Sequence, residues 1–149
     1  MKAFYLLVIL AILSGVVLPI QAALNAKMGK AVGDPAYSAL ISFIIGSIGL
    51  LIYTLVLRVD LSQIQQTGQL HWSVWTPGLL GAFYVVAVII LVPKIGAALT
   101  FGLVVTGQLG LSLIMDHYGL LGLPVHAINW QRLAGIACII IGVVLIRIF

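Results

Sequence analysis

The chain has 149 residues, of which 63% are hydrophobic and 7% are charged, and its formal net charge is +4. A soluble domain carries about 25% charged residues and could not hide this much apolar surface in one core, so a soluble globular protein is excluded. The basic residues are scattered along the chain rather than gathered in a stripe, which indicates membrane lipid and not nucleic acid as the surrounding partner.

Five apolar runs are long enough to cross a bilayer as helices. A span needs about 20 mostly apolar residues. In hydrocarbon, backbone groups must bond within their own segment, which favours helices. We predict spans at about residues 3–24, 36–57, 73–92, 95–115 and 129–149. The chain is therefore expected to be an all-α integral membrane protein in which residues 1–149 form a single transmembrane domain.

The first run also resembles a secretory signal peptide, since a basic start precedes an apolar stretch and the small residues Ala23 and Ala26. The apolar stretch, residues 3–20, exceeds the usual signal core of about 7–15 residues. We therefore expect it to remain as the first spanning helix. The turn signal Gly33-Asp34-Pro35 separates it from the second span.

Two amides lie near the end of the first span. Gln21 and Asn25 are one helical turn apart, and polar side chains in membrane helices usually face a cavity or another helix. Gln21 fits a substrate-lining role and interhelical hydrogen bonding equally well, whereas helix packing or a helix end explains Asn25 better. Both are candidate residues of a substrate pathway.

The third and fourth spans add two further candidates for that pathway. Tyr84 can point its hydroxyl inward, although core packing explains it at least as well. Gln108 lies inside the fourth span within TGQLG, and burying an unpaired amide costs about 1–3 kcal/mol. Gly107 beside it would let a backbone or a ligand come close. Gln108 is therefore the leading candidate for a substrate contact.

An acid and a histidine follow at the end of the fourth span. Asp116 is the only acid near a predicted membrane interior, and acids and histidines inside membranes form proton relays. Asp116 and His117 are therefore a candidate proton relay. The alternative is a water-exposed helix end, which the following Tyr118-Gly119 favours.

Small residues recur at four-residue steps on three spans, a pattern that lets helices approach closely in lipid. The rows are Ser38, Ser42 and Gly46 on the second span, Gly102, Thr106 and Gly110 on the fourth, and Ala134, Cys138 and Gly142 on the fifth. Each row can serve packing within one chain. We assign the row on the fifth span to helix packing or to a dimer contact.

The constellations of an enzyme are missing from the sequence. The chain has three acidic residues and one cysteine, with no carboxylate pair, nucleophile–base set, metal-ligand spacing or glycine-rich nucleotide loop. We therefore expect no enzymatic activity, no metal, no cofactor and no ATP-driven step.

The basic residues do not favour one side of the membrane. If the five spans alternate, three lie on the face of the N-terminus (Lys2, Arg58 and Arg132) and four on the other (Lys27, Lys30, Lys94 and Arg147). Topology normally follows an excess of Lys and Arg in cytoplasmic loops, so this near-tie predicts insertion in both orientations. Inverted repeats meeting at a midplane site are a recurrent transporter design. The chain looks like one half of such a transporter.

Four segments carry a family resemblance: GVVLPIQAALNAKMG, DPAYSALISFIIGSIGL, GLLGAFYVVAVIILVPKIGAALTFGLVVTGQLGLSLIMDHYGLLGLP and RLAGIACIIIGVVLIR. Together they resemble the five-helix bacterial branch of the drug/metabolite transporter superfamily, the YdcZ-like or "transporter family 2" inner-membrane proteins. The resemblance implies half of a ten-helix inverted-repeat transporter fold, located in the bacterial inner membrane and working as an antiparallel pair.

The resemblance also adds weight to Gln21, Asn25, Gln108 and Asp116, which stand in the quoted segments. The related four-helix multidrug exporters couple to protons through a glutamate in their first helix. The first span of this chain has no acid, which speaks against proton-coupled export of cations.

Three hypotheses follow. The leading one is a secondary, non-ATP transporter of a small-molecule substrate, whose partner is a second copy of itself in opposite orientation. The second is a half-transporter that pairs with a separate homologous chain. The third is a membrane subunit or scaffold that transports nothing.

Overall fold

The computed structural model describes residues 2–149, with the side chains of six residues outside the description: Lys2, Ala3, Gln63, Gln65, Gln66 and Gln69. Over this range the chain is helical, with no strand and with five helices long and apolar enough to cross a membrane. They are α1 (Lys2–Val32), α2 (Pro35–Val56), α3 (Pro77–Ile95), α4 (Ala97–Tyr118) and α5 (Trp130–Ile148). The predicted five-span all-α membrane fold is thereby confirmed. The assignment of Lys2 to one face of the membrane, in the count of basic residues, rests on the sequence alone.

Contacts between Cα atoms divide the chain into two compact units, Met1–Pro93 and Lys94–Phe149. In the first unit α1 packs against α2, and in the second α4 packs against α5. Both pairs are antiparallel, because residues late in the earlier helix meet residues early in the later one. Each pair is therefore a helical hairpin with its own packing.

The turn between α1 and α2 follows from three consecutive residues. Gly33 adopts a φ of +86°, which glycine reaches without the strain of a Cβ atom. The Asp34 carboxylate then caps α2 by accepting a hydrogen bond from the Ala36 amide at 2.6 Å, and Pro35 occupies the first helical position. A carboxylate cap followed by proline is a strong helix start.

Helix α1 continues to Val32, beyond the predicted end of the first span near residue 24. The extra segment, NAKMGKAV, contains two lysines, which lower its hydropathy but not its helix propensity, since Ala, Lys and Met are all good helix formers. The hydropathy pattern marks the apolar part of the helix rather than its full length. Gln21 and Asn25 consequently lie inside α1, and of the two explanations offered for Asn25 the helix end is wrong.

Helix α3 runs through Pro93 to Ile95, although the third span was predicted to end near residue 92. The chain breaks instead at Gly96, whose φ is +82°. Glycine adopts this backbone conformation far more readily than other residues. Helix α4 begins at the next residue, Ala97.

The connection from α2 to α3 contains two 3₁₀ turns, Leu61–Gln69 and Trp72–Trp75. The Asp60 carboxylate starts the first turn by accepting a hydrogen bond from the Ser62 amide at 2.9 Å. Hydrogen bonds from the Ser62 backbone N–H and hydroxyl hold the pKa of Asp60 below its ordinary value, because they stabilise the charged form. The folded connection therefore favours the deprotonated form of Asp60.

The connection from α4 to α5 starts at Gly119, which adopts the left-handed conformation with φ +60° and ψ +33°. A Cβ atom at Gly119 would lie 2.8 Å from the Val125 side chain, so the returning chain requires glycine here. A 3₁₀ turn follows at Leu120–Gly122, and the Asn129 side chain caps α5 by accepting from the Arg132 amide at 2.9 Å. The helix exit predicted at Tyr118-Gly119 is confirmed.

Candidate functional site

Hydrogen bonds donated by polar side chains join α1 and α2. The Ser38 hydroxyl, fully buried, donates to the backbone carbonyl of Asn25 at 2.7 Å. The Asn25 amide, 6% exposed, donates in turn to the Ser42 hydroxyl at 3.3 Å. Ser38 and Ser42 of the predicted row take part in packing, whereas Gly46 is exposed and a Cβ atom there would meet nothing within 4 Å. The Asn25 amide takes part in the interhelical packing that the sequence favoured for it.

Small residues surround these hydrogen bonds. Ala22 of α1 and Ala39 of α2 are buried at 5% and 4% exposure. A Cβ atom at Gly29 would come within 3.3 Å of the Ile89 side chain and 3.6 Å of Ser38 Cβ. The absence of larger side chains therefore lets α1, α2 and the end of α3 approach closely in the first unit.

Two clefts open beside the α1–α2 contact, and they share the side chains of Gln21 and Ser42. The larger has a volume of about 420 Å³ and is walled by Val17, Leu24 and Ile45, with Asn25 also reaching it. The smaller, of about 300 Å³, adds Ser47 and Val85 to its lining. Each cleft therefore offers a few hydrogen-bonding groups on an otherwise apolar surface, the usual character of a small-molecule site.

Gln21 is exposed and forms no hydrogen bond with the described part of the chain. It lies 11 residues before the end of α1 at Val32, or about 16 Å along the helix axis. Its amide therefore stands well inside the helix and next to both clefts, so it can bind a group from outside the hairpin.

Gln108 stands at the middle of α4, 11 residues after Ala97 and ten before Tyr118. Its side chain is exposed and has no hydrogen-bond partner among the described residues. A Cβ atom at the neighbouring Gly107 would meet no atom within 4 Å, so no described residue of the second unit covers this stretch of α4. The structure thus places an unpaired amide about 16 Å from either end of a membrane-crossing helix.

Tyr84 is half-buried in α3, and its hydroxyl bonds to no described residue. Its chain neighbour Val85 lines the smaller of the two clefts, whereas Tyr84 itself is not among the lining residues of that cleft. The structure therefore puts Tyr84 near this site without bringing it into contact with Gln21.

The end of α4 is tied to the start of α5 by an ion pair. Arg132 Nη1 donates to Asp116 Oδ2 at 3.2 Å and to the His126 carbonyl at 3.4 Å. The His126 amide donates to the backbone carbonyl of Asp116 at 2.8 Å. Sequence reasoning missed Arg132 as the partner of Asp116. The available signal was the only acid of the fourth span and a basic residue in the first turn of the fifth, joined by a connection short enough to bring them together.

His117 makes a separate contact with the same connection. Its Nδ1 accepts a hydrogen bond from the Ile128 amide at 3.2 Å, so in this arrangement the ring proton sits on Nε2. The ring also stands edge-on to Tyr118, with 4.7 Å between the ring centroids. His117 therefore helps to close the connection, and Nε2 is its donor for any outside group.

The row of small residues on α5 lies away from the α4 contact. Helix α5 meets α4 through Val143, whose side chain would lie 2.8 Å from a Cβ atom placed at Gly102. Ala134 and Cys138 are exposed, and a Cβ atom at Gly142 would meet nothing within 4 Å. No described residue of the second unit therefore covers the row.

Five membrane-crossing helices with polar groups on apolar clefts define a multi-pass integral membrane protein. The chain belongs to the family described as "Putative inner membrane exporter, YdcZ", whose model matches residues 6–145. The resemblance predicted from the sequence motifs and the predicted inner-membrane location are thereby confirmed. The family is a class of exporters and not of enzymes. No curated protein and no solved structure matches the chain.

Proposed function

We propose that this protein is a secondary exporter of small solutes that works as an antiparallel homodimer of two five-helix chains. Each chain supplies one half of a ten-helix inverted-repeat fold, and the solute crosses near the midplane between the two copies. Rocking of one half against the other gives alternating access, as in other transporters built from inverted repeats.

The observation that carries this proposal is the amide of Gln108 at the middle of α4, which has no partner among the residues that the structure describes. Leaving such a group without a partner in hydrocarbon costs about 1–3 kcal/mol. A two-fold axis in the membrane plane maps the midplane onto itself, so the same residue of a second, inverted copy arrives at the same depth. A second copy, or a solute held between the copies, supplies the missing partner.

The α1–α2 clefts supply the rest of the pathway in this proposal. Gln21 offers a free amide to both clefts, and Asn25 and Ser42 line the larger one. Tyr84 of α3, next to the cleft residue Val85, is a further candidate of the pathway in this proposal, although it lines neither cleft. Since none of these groups carries a fixed charge, they suit a neutral or weakly polar solute that exchanges hydrogen bonds with amides and hydroxyls.

The near-equal division of basic residues supports the inverted arrangement. Three basic residues against four give no strong preference for one orientation. The uncovered row of Ala134, Cys138 and Gly142 on α5 is a second surface on which the copies can meet, since small residues let helix backbones approach closely.

Asp116 and His117 form the proton-coupling part of the proposal. In proteoliposomes loaded with a panel of small neutral and amphipathic solutes, export that depends on a pH gradient should lose this dependence in Asp116→Asn and His117→Gln. Equal gradient dependence in the variants and the unaltered protein would show that these residues do not couple export to protons. That result would leave the proposal of an antiparallel dimer unaffected.

Disulfide trapping tests the inverted dimer directly. Phe101 and Met115 each lie seven residues from Gln108, or two helical turns, and so share its side of α4. In a Cys138→Ser background, an antiparallel pair brings a cysteine at 101 opposite a cysteine at 115 of the other copy. Co-expressed Phe101→Cys and Met115→Cys chains should therefore cross-link to each other.

A parallel pair would instead give 101–101 and 115–115 cross-links, and that result would overturn the inverted arrangement. Gln108→Cys should cross-link to itself in the antiparallel dimer. Leu103→Cys is the matched control, because this exposed residue lies about 140° away around the helix. Reaction of all four variants to the same extent would indicate random collision rather than a defined dimer.

A further inference from the structure

A third cleft lies between α4 and α5 and has an ion pair at its mouth. Its volume is about 310 Å³. The walls are mostly apolar, and the mouth is formed by Asp116 and Arg132. The wall residues are Leu109, Ser112, Leu113, Gly135, Ile136 and Ile139, of which Ser112 alone has a polar side chain. Its lining includes neither Gln108 nor the α1 residues of the proposed solute pathway, whereas Asp116, the proposed proton-coupling residue, also stands at its mouth.

The cleft has charged groups at one end and mainly apolar groups along its depth, which matches the two parts of an amphiphile. Asp116 is the third residue from the end of α4, and Arg132 is the third residue of α5. Both charges therefore stand at the end of a membrane-crossing hairpin, where water and lipid head groups meet. The apolar walls continue for seven residues from each charge, to Leu109 and Ile139, which is about 10 Å toward the membrane centre.

Both charges keep bonding capacity for an outside group. Arg132 uses only Nη1 within the described chain, so its Nε and Nη2 groups donate to no described residue. Asp116 accepts from Arg132 through Oδ2, while its Oδ1 accepts from no described residue. The two side chains are 35% and 33% exposed, so both can be reached from the mouth of the cleft.

The chemistry of these groups identifies the head group they can hold. The free edge of a guanidinium presents parallel N–H donors in the geometry that phosphate oxygens accept. A carboxylate oxygen is an acceptor only, and it binds an ammonium that still carries hydrogens. Since the pair is neutral overall, a head group bearing one charge of each sign matches it better than a purely anionic one.

We propose that the α4–α5 cleft binds a zwitterionic phospholipid with a primary ammonium head group. The phosphate lies on the free edge of Arg132, the ammonium on Asp116 Oδ1, and part of one acyl chain between Leu109, Leu113, Ile136 and Ile139. The same head-group chemistry on a soluble solute would lack the acyl chain, so the two sources differ in their need for the apolar walls.

Native mass spectrometry of the purified protein tests this proposal. The probes are phosphatidylethanolamine, phosphatidylcholine and phosphatidylglycerol with the same acyl chains, and glycerophosphoethanolamine as the head group alone. Retention should be strongest for phosphatidylethanolamine. Phosphatidylcholine cannot donate a hydrogen bond to Asp116, and phosphatidylglycerol adds uncompensated negative charge. Equal retention of the three lipids would overturn the proposal, and tight binding of the head group alone would assign the site to a soluble zwitterion.

Variants then locate the binding. Arg132→Gln should weaken phosphatidylethanolamine binding about tenfold or more, the usual size for a lost charge-assisted contact. Arg132→Lys keeps the positive charge but loses the parallel N–H donors of the guanidinium. Its affinity for phosphatidylethanolamine should lie between those of the unaltered protein and Arg132→Gln. Asp116→Asn should remove the preference for phosphatidylethanolamine over phosphatidylcholine. Ile136→Trp should exclude the acyl chain and lower the retention of all three lipids.

Arg147→Gln is the matched control, since Arg147 lies in the last turn of the same helix and does not line the cleft. An equal loss in Arg147→Gln and Arg132→Gln would show general attraction to a basic protein and would sink the proposal. The head-group series on the unaltered protein needs no variant, so the proposal is decided even if Arg132→Gln does not fold.

Discussion

The two helical hairpins of this protein are held together in different ways. Between α1 and α2 the buried alanines are accompanied by hydrogen bonds within the contact, where the hydroxyl of Ser38 is fully buried and bonded to the opposite helix. Between α4 and α5 the close contact is apolar, where Val143 packs onto the backbone at Gly102, and the polar contact is an ion pair at the end of the hairpin.

The polar groups of the spans fall into two kinds, those that bond one helix to another and those that have no partner among the described residues. The sequence already favoured packing for Asn25 and a substrate contact for Gln108, and it left both roles open for Gln21. The hydrogen bonds show that Asn25 is bonded between helices, while Gln21 and Gln108 have no partner among the described residues.

The largest effect is expected where α4 and α5 approach. In Gly102→Ala the new Cβ atom would lie 2.8 Å from Val143 Cγ2, and valine in a helix has essentially one side-chain rotamer with which to respond. Overpacking of this kind costs about 1–3 kcal/mol. We expect Gly102→Ala to lower the free energy of unfolding in detergent by about that much relative to Gly110→Ala.

Gly110→Ala is a fair control because a Cβ atom there meets nothing within 4 Å, so it reports the gain in helix propensity alone. Adding Val143→Ala to Gly102→Ala should recover part of the loss. If Gly102→Ala is as stable as Gly110→Ala, the apolar approach of the two helices is looser than 2.8 Å implies.

A smaller effect is expected between α1 and α2. Ser38→Ala removes the hydroxyl that donates to the Asn25 carbonyl at 2.7 Å. Interhelical hydrogen bonds in membrane proteins average about 0.6 kcal/mol, with a maximum near 1.7 kcal/mol. We expect a loss of about 0.5–1.5 kcal/mol by the same unfolding measurement.

Ser47→Ala is the control for this prediction, because Ser47 is exposed and bonds only to the Phe43 carbonyl of its own helix. The variant should change stability by less than Ser38→Ala does. A result in which Ser47→Ala costs as much would mean that the buried bond between the helices has no special weight.

Most of the helix pattern was predictable from the sequence because hydropathy and turn chemistry act locally. Gly33, Asp34 and Pro35 specify the first turn by their own backbone preferences, and Tyr118-Gly119 specifies the exit from α4. The end of α1 at Val32 was not predictable from hydropathy, since Lys27 and Lys30 end the apolar run without ending the helix.

The candidate site was less predictable, because its contacts join residues far apart in the chain. Asn25 meets Ser38 and Ser42 only once the register of α1 against α2 is set. Likewise, the pairing of Asp116 with Arg132, 16 residues away, depends on the path of the intervening loop. Composition reveals that these polar groups are present in apolar spans, but not which of them satisfy each other.

A still smaller effect is expected from the ion pair of the second hairpin. Asp116 and Arg132 are about one-third exposed, and pairs in such settings contribute about 0.2–1 kcal/mol. A double-mutant cycle with Asp116→Asn and Arg132→Gln should give a coupling energy in this range, falling as salt is added. A coupling energy well above that range would mean that a polar contact dominates both hairpins, and the contrast between them would fail.

The smallest effect concerns the connections, where the first unit relies on a charged cap and the second on a neutral one. Asp60 caps the 3₁₀ turn at Ser62, whereas Asn129 caps α5 at Arg132. Since the folded pKa of Asp60 is lowered by the Ser62 bonds, its capping is complete above the unfolded value of about 3.9. The capping is lost as the pH falls through the folded pKa.

The amide NMR signal of Ser62 should therefore shift in a single acid step below the unfolded value of about 3.9. Asp60→Asn should keep the cap and abolish the step, because an asparagine oxygen accepts the same bond at every pH. A step that persists in Asp60→Asn would assign the acid sensitivity of this connection to a group other than its cap.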